Sequence, residues 1–372
     1  MTRRDSPRAS GCGRRTQGGV SRPVGRRRGV VALGFTAQMK ILHIAQTQPN
    51  ARLFTPYFQQ LMAALGEFSC VENGAALDEE ARAALGRQCD VLLTGWGSVA
   101  VPASLAQDPG RLQYICHLTG TVEGIIPLEI FHAGLPVTNW GDAPAFPVAE
   151  GALALLLACL KQLPEQQNAK RTGGWRPEHE AWIGSMRDLR LGLYGYGAIG
   201  RTFHDLCRPL GPRVAVYDPY VPELPADARR VARIEDLFAD SDVIAVHAAL
   251  TKETDCSVTA SLLARLPDGG ILINTARGAI VDQDALFAEL GAGRLRAGLD
   301  VLADDDRLPE GHDARTWPNL ILTAHLVHAV SWPPNPTRLD LWHEVALDNL
   351  RRFKAGQPLR FRLTEELLSR ST

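Results

Sequence analysis

No apolar run in this 372-residue chain reaches the roughly 20 residues that a membrane-spanning helix needs. The richest stretch, residues 148–160, is interrupted by Glu150 and predicts a buried helix. Charge of one sign is missing as well. Forty basic side chains against 41 acidic ones leave −1 at pH 7, so no global field draws the chain to nucleic acid. Cys12, Cys70, Cys89, Cys116, Cys159, Cys207 and Cys256 form no CxxC pair and no metal-ligand spacing, and their odd number argues against a disulfide framework. These absences lead us to expect a soluble, cytoplasmic protein with no metal, membrane or nucleic-acid partner. What is present is 45% hydrophobic content over a length that suffices for two domains with cores.

Residues 1–38 differ in composition from the rest. Arg3, Arg4, Arg14, Arg15 and Arg26-Arg27-Arg28 lie among glycine, serine and proline with little apolar periodicity, which predicts a disordered basic tail or a start assigned too early. Met39-Lys40-Ile41-Leu42-His43-Ile44 then opens like the first buried strand of an α/β domain.

The most informative stretch is residues 191–200, where an apolar run stops in Gly195-Tyr196-Gly197-Ala198-Ile199-Gly200. The first glycine permits a tight strand-to-helix turn, the second lets backbone approach a pyrophosphate, and the third lets the new helix pack on its strand. Ala198 and Ile199 open that helix, whose free N–H groups and dipole favour the anion. Helical spacing follows to Leu210, Gly211-Pro212 ends it, and Val214-Ala215-Val216-Tyr217 predicts a second strand closing on Asp218. An acid at that point accepts hydrogen bonds from the adenine ribose and repels a 2′-phosphate, which favours NAD over NADP.

Around this motif strands alternate with helices. Strands are predicted at residues 41–45, 91–94, 114–118 and 137–139, with helices near 56–65 and 128–133; a long helix covers 148–163. Six more strands are predicted at 189–194, 213–217, 243–247, 270–274, 296–300 and 320–323, a complete doubly wound parallel sheet. The remaining helical pattern at Leu341, Val345, Leu350 and Phe353 is too short for a domain and predicts a return to the first one. Three phrases end strands of the second set: Asn274-Thr275-Ala276-Arg277-Gly278, Gly298-Leu299-Asp300-Val301 and Leu322-Thr323-Ala324-His325. Ligands of open α/β sheets sit outside the carboxyl ends of strands, so Arg277, Asp300 and His325 are expected to converge on the nicotinamide end of the cofactor.

This ordered set resembles the D-isomer-specific 2-hydroxyacid dehydrogenase family, over residues 39–359. The resemblance implies a Rossmann NAD-binding domain, residues 144–325, inserted into a flavodoxin-like substrate domain, residues 39–143 and 326–372, both doubly wound parallel sheets. It implies hydride exchange between NAD and a small 2-hydroxy or 2-keto acid, with Arg277, an acid near Asp305 and His325 as catalytic residues. It further places Asp300 at the nicotinamide carboxamide, has Thr275 and Ala276 line the cofactor by backbone, and makes a homodimer through the long interdomain helix. The roles are chemically apt. A forked, permanently charged guanidinium grips a carboxylate and polarises the adjacent carbonyl. An imidazole exchanges a proton near neutrality, and a neighbouring carboxylate orients it and raises its pKa.

The chain departs from the family pattern in three places. Where the family has glutamate five positions after the strand-end aspartate, this chain has Asp304-Asp305-Asp306; counting forward from Asp300 selects Asp305, and counting back from Leu308-Pro309 selects Asp306. The family's G-V-G-x-D substrate loop is replaced by Leu118-Thr119-Gly120-Thr121-Val122-Glu123-Gly124, in which the glycines keep an anion nest while Thr119 and Thr121 add hydroxyl donors. Beyond His325, Trp332, Trp342 and His343 either wall the substrate side or pack in the core. A different reading on the same fold is a non-catalytic, NAD-sensing regulator of the corepressor type; the presence of Arg277 and His325 argues against it.

Overall fold

The computed structural model describes residues 38–176, 183–303, 307–328, 335 and 337–368, so nearly all of the basic tail lies outside it. The first sheet contains β1 (Lys40–Ile44), β2 (Glu67–Val71), β3 (Val91–Thr94), β4 (Tyr114–His117) and β5 (Val137–Thr138), all parallel in the order β2-β1-β3-β4-β5. β3 and β4 are buried at every position, as near-continuous apolar runs require in a sheet covered on both faces. Helices α1 (Pro56–Leu65), α2 (Glu79–Gly86) and α3 (Leu128–His132) connect them. Thr55 caps α1 by accepting the Phe58 N–H at 3.2 Å, and Asp78 caps α2 by accepting that of Ala81 at 2.8 Å.

Two helices, α4 (Ala145–Leu160) and α5 (Leu163–Arg171), lead into the second sheet. Its strands are β6 (Arg190–Tyr194), β7 (Arg213–Tyr217), β8 (Ala228–Arg230), β9 (Val243–Val246), β10 (Ile271–Asn274), β11 (Arg296–Leu299) and β12 (Leu320–Leu322). All are parallel, in the order β12-β11-β10-β9-β6-β7-β8. Helices α6 (Ala198–Cys207), α7 (Ile234–Ala239), α8 (Ala260–Leu263) and α9 (Gln283–Gly291) are its crossovers. One face is covered by α4 and α6: Leu155, Leu156 and Cys159 join Leu191, Phe203 and Val243 in a single core. After β12 come α10 (Leu341–Lys354) and α11 (Glu365–Leu368). α10 packs on the first sheet, where Trp342, Ala346, Leu347 and Leu350 share a core with Met39, Ile41, Phe58 and Tyr114. Arg362 then bridges to Thr138 of β5.

Two strands escape the sequence pattern, β2 and β8. Both are edge strands, half-exposed and too polar to show a buried run. The helix predicted over 148–163 divides at Gln162, whose left-handed φ of 50° bends α5 by 50° from α4. Among the described residues no single helix is long and apolar enough to cross a membrane.

Candidate active site

The second sheet reverses its strand order between β6 and β9, and the glycine turn sits at that switch point. Gly195 has φ 93°, and a Cβ there would lie 2.5 Å from the Ala248 nitrogen, so β6 and β9 leave no room for a side chain. A Cβ on Gly200 would lie 2.5 Å from the Gly195 carbonyl oxygen, which fixes the approach of α6 to its strand. At Gly197 a Cβ would meet nothing within 4 Å: this glycine faces open space at the start of α6. Asp218, at the end of β7, accepts the Tyr196 N–H through Oδ2 (2.7 Å) and those of Tyr220 and Val221 through Oδ1 (2.9 and 3.2 Å). The nearby Arg230 guanidinium is occupied by carbonyls, donating to those of Asp218, Val221 and Pro222.

Two buried polar groups on this crevice have no partner among the described residues, the Thr275 hydroxyl and the His247 imidazole. Burial pushes the His247 pKa down to about 3, so the ring is neutral. Open space at Gly197, a fixed carboxylate at Asp218 and an orphaned Thr275 hydroxyl suit a dinucleotide laid across the strand ends.

Arg277, Asp300 and His325 follow β10, β11 and β12, three neighbours in the sheet. The Arg277 turn is held by Asn274, which donates to the Arg277 carbonyl (2.9 Å) and accepts the Ala276 N–H (3.0 Å). A Cβ on Gly278 would overlap the Leu302 carbonyl carbon at 2.0 Å, so this turn is pressed against the segment that follows Asp300. Asp300 is buried and builds the histidine turn. Its Oδ1 accepts from the Thr323 hydroxyl (2.7 Å) and from the N–H groups of Leu326 (2.9 Å) and Val327 (3.3 Å), while its carbonyl accepts the His325 N–H (2.7 Å). Ala324 and His325 both have left-handed backbone, φ 49° and 59°. A proline ring cannot adopt that φ, so proline is excluded from position 324 of this turn. Asp305, Asp306 and Trp332 lie outside the described residues.

In the first sheet, β4 ends at His117. Its Nδ1 meets the Thr94 hydroxyl at 2.8 Å and its Nε2 the Thr119 hydroxyl at 2.7 Å. Burial holds the His117 pKa near 4, against a smaller opposing pull from the Thr121 backbone. Thr119 is fully buried, so its hydroxyl serves this inward contact and not the open side as the sequence reading had it. Gly120 and the exposed Thr121 have N–H groups with no partner among the described residues, and Asn139 steadies the loop by donating to the Gly120 carbonyl (2.8 Å). His343 is a core residue: Nδ1 accepts the Asp340 N–H (3.1 Å) and Nε2 lies 2.8 Å from the Leu53 carbonyl. Trp342 is buried beside it, with its ring against those of Trp96 and Trp140. His117 and Thr323 were not singled out from sequence; the only available signal was their position at strand ends.

A glycine turn at the switch point of a doubly wound sheet, with arginine, aspartate and histidine on three successive strand ends, defines a dinucleotide-dependent oxidoreductase. Residues 153–327 match the family described as D-isomer specific 2-hydroxyacid dehydrogenase, NAD binding domain. The chain is 30% identical over 233 residues to hydroxypyruvate reductase of Blautia hydrogenotrophica, covering 61% of this chain and 70% of that protein. It is 32% identical over 216 residues to hydroxypyruvate reductase of Thermotoga maritima, covering 58% and 69%. The fold superposes on a 2-hydroxyacid dehydrogenase from Ketogulonicigenium vulgare with a TM-score of 0.72 at 23% identity, covering 88% of this chain and 99% of that one. The chain belongs to the D-isomer-specific 2-hydroxyacid dehydrogenase family, and its cofactor is a nicotinamide dinucleotide.

Proposed function

We propose that this enzyme interconverts a D-2-hydroxy acid and its 2-keto acid with NAD, with Arg277 holding the substrate and His325 moving the proton. The observation that carries this reading is the common placement of Arg277, Asp300 and His325 at the ends of β10, β11 and β12, with the histidine turn built on the Asp300 carboxylate. Gly197, Asp218 and Thr275 would hold the dinucleotide, which when bound would supply or take up the hydride at the substrate's C2. Arg277 pairs with the carboxylate and polarises the adjacent carbonyl, while the N–H groups of Gly120 and Thr121 receive the same carboxylate from the other side. His325 gives its proton to the nascent alkoxide oxygen and recovers it in the reverse direction. Asp305 is the acid assigned to orient the imidazole. Asp300 retains Oδ2 for the carboxamide, because its three donors all bind Oδ1.

Asp218 supports NAD over NADP: its carboxylate is fixed by three N–H groups, and the nearby Arg230 guanidinium donates to carbonyls. The packing of α4 on the second sheet and of α10 on the first supports a nucleotide domain of residues 144–325 and a substrate domain of 39–143 and 326–372. The reading takes the enzyme as a cytoplasmic homodimer joined through α4, whose Phe146 is exposed. The test is reduction of glyoxylate, pyruvate and hydroxypyruvate with NADH and with NADPH, followed by chiral separation of a chiral product. Faster turnover with NADH and a D product are expected; an L product, or preference for NADPH, contradicts it.

A further inference from the structure

The first sheet has a switch point of its own, between β1 and β3, and the loops leaving those strands carry Arg52 and Trp96. A short turn presents Arg52: Asn50 Oδ1 accepts its N–H at 3.0 Å, and the Asn50 carbonyl accepts those of Leu53 and Phe54. The guanidinium lies 5.1 Å over the Trp342 ring. Trp342 in turn forms a three-membered cluster with Trp96 and Trp140, at centroid separations of 6.0 and 6.3 Å, with 5.8 Å between the latter two. Gly120 is pressed against the same cluster, since a Cβ there would stand 2.7 Å from the Trp140 Nε1. The aromatic cluster therefore adjoins the Gly120 loop, to which the reading above assigns the substrate carboxylate.

The charge of Arg52 is also felt beside His325. His328 lies with its ring 6.4 Å from that of His325, and its pKa is lowered first by burial, then by the positive charges of Arg52 and His325. Arg52 is half-buried and makes no ion pair among the described residues. A cation withdrawn from water without a counter-ion is costly. The cation–π contact with Trp342 offsets part of that cost. The guanidinium fork matches a carboxylate or a phosphate, and apolar indole walls strengthen such a pair by lowering the local dielectric.

We propose that Arg52 is a specificity-determining residue: it pairs with a second anionic group, carboxylate or phosphate, at the far end of the 2-keto acid. The inference rests on the 2-keto acid reading above and names the class of acid. Through Trp342, which lies under its guanidinium, and Trp140, which meets Gly120, Arg52 is joined to the loop assigned to the substrate carboxylate.

The test uses two matched pairs on the full chain. 2-Oxoglutarate and 2-oxopentanoate differ only by a carboxylate in place of a methyl, and 3-phosphooxypyruvate and hydroxypyruvate differ only by the phosphate. Turnover is read as NADH oxidation, and binding as quenching of tryptophan fluorescence, since the Trp342 ring lies under the Arg52 guanidinium. Within at least one pair the wild type prefers the more anionic acid by about tenfold or more in kcat/KM, and the pair with the larger ratio identifies the group as carboxylate or phosphate. Arg52→Gln lowers that ratio by about tenfold, chiefly through KM, and Arg52→Lys, which keeps charge without the planar fork, falls between. Equal ratios in wild type and Arg52→Gln, or turnover confined to monoanionic acids, overturn the assignment and leave the dehydrogenase reading standing. Quenching by the dianionic acid that depends on Arg52, with no turnover of any acid, upholds the anion site and overturns the dehydrogenase reading.

Discussion

At the scale of single residues, the histidine turn is a contest between strain and bonding. Left-handed backbone at two non-glycine residues, Ala324 and His325, costs about 1 kcal/mol each. Three hydrogen bonds to the Asp300 carboxylate return about 1.5–3 kcal/mol apiece, so the bonds decide and the imidazole is held where the turn puts it. Asp300→Ala is therefore expected to cost at least about 2 kcal/mol in denaturant unfolding and to lower kcat about a hundredfold or more, whereas a purely surface role would leave both near wild type. Asp218→Ala is expected to weaken NADH about tenfold in a fluorescence titration and to narrow the preference over NADPH. The placement of Arg277, Asp300 and His325 was legible in the sequence because a parallel α/β sheet gathers its strand ends on one edge whatever the side chains do. The inward turn of the Thr119 hydroxyl was not legible, since it depends on a histidine two residues back being buried between two threonines.

At the scale of elements, glycines set how closely turns and helices approach the sheet. Gly278→Ala places a Cβ 2.0 Å from the Leu302 backbone, where no flexible side chain can yield. A loss of about 2 kcal/mol or more in thermal unfolding is expected, with KM for the keto acid raised because Arg277 is the preceding residue; a fully stable variant with unchanged KM would show that the 277–302 contact positions nothing. The buried strands announced themselves as apolar runs, and the glycine turn as a spacing. β2 and β8 did not, because an edge strand owes its conformation to one neighbour's backbone more than to its own side chains. The break between α4 and α5 was equally silent: Gln162 is an ordinary helix former held at φ 50° by its surroundings.

At the scale of the whole molecule, both sheets bury neutral histidines. His43 and His117 in the first are held near pH 4 and His247 in the second near pH 3, in each case by burial. Their folded pKa values lie below the unfolded 6.5, so below that pH the unfolded chain binds more protons. The stability they contribute is complete above pH 6.5 and is lost as pH falls toward 4, on the order of 3 kcal/mol for a histidine moved from 6.5 to about 4. Thermal melts are expected to drop steeply across that window, and His247→Leu to flatten the drop; an unchanged slope in that variant would remove His247 from the account. The central claim is that His325 carries the proton in a site that binds the dinucleotide independently of it. Its most direct test is NADH affinity and NADH-dependent turnover of a reducible 2-keto acid, measured side by side in wild type and His325→Ala. Turnover lowered about a hundredfold or more, with NADH affinity kept within about twofold, is the predicted result; a variant that turns over as fast as wild type would contradict it.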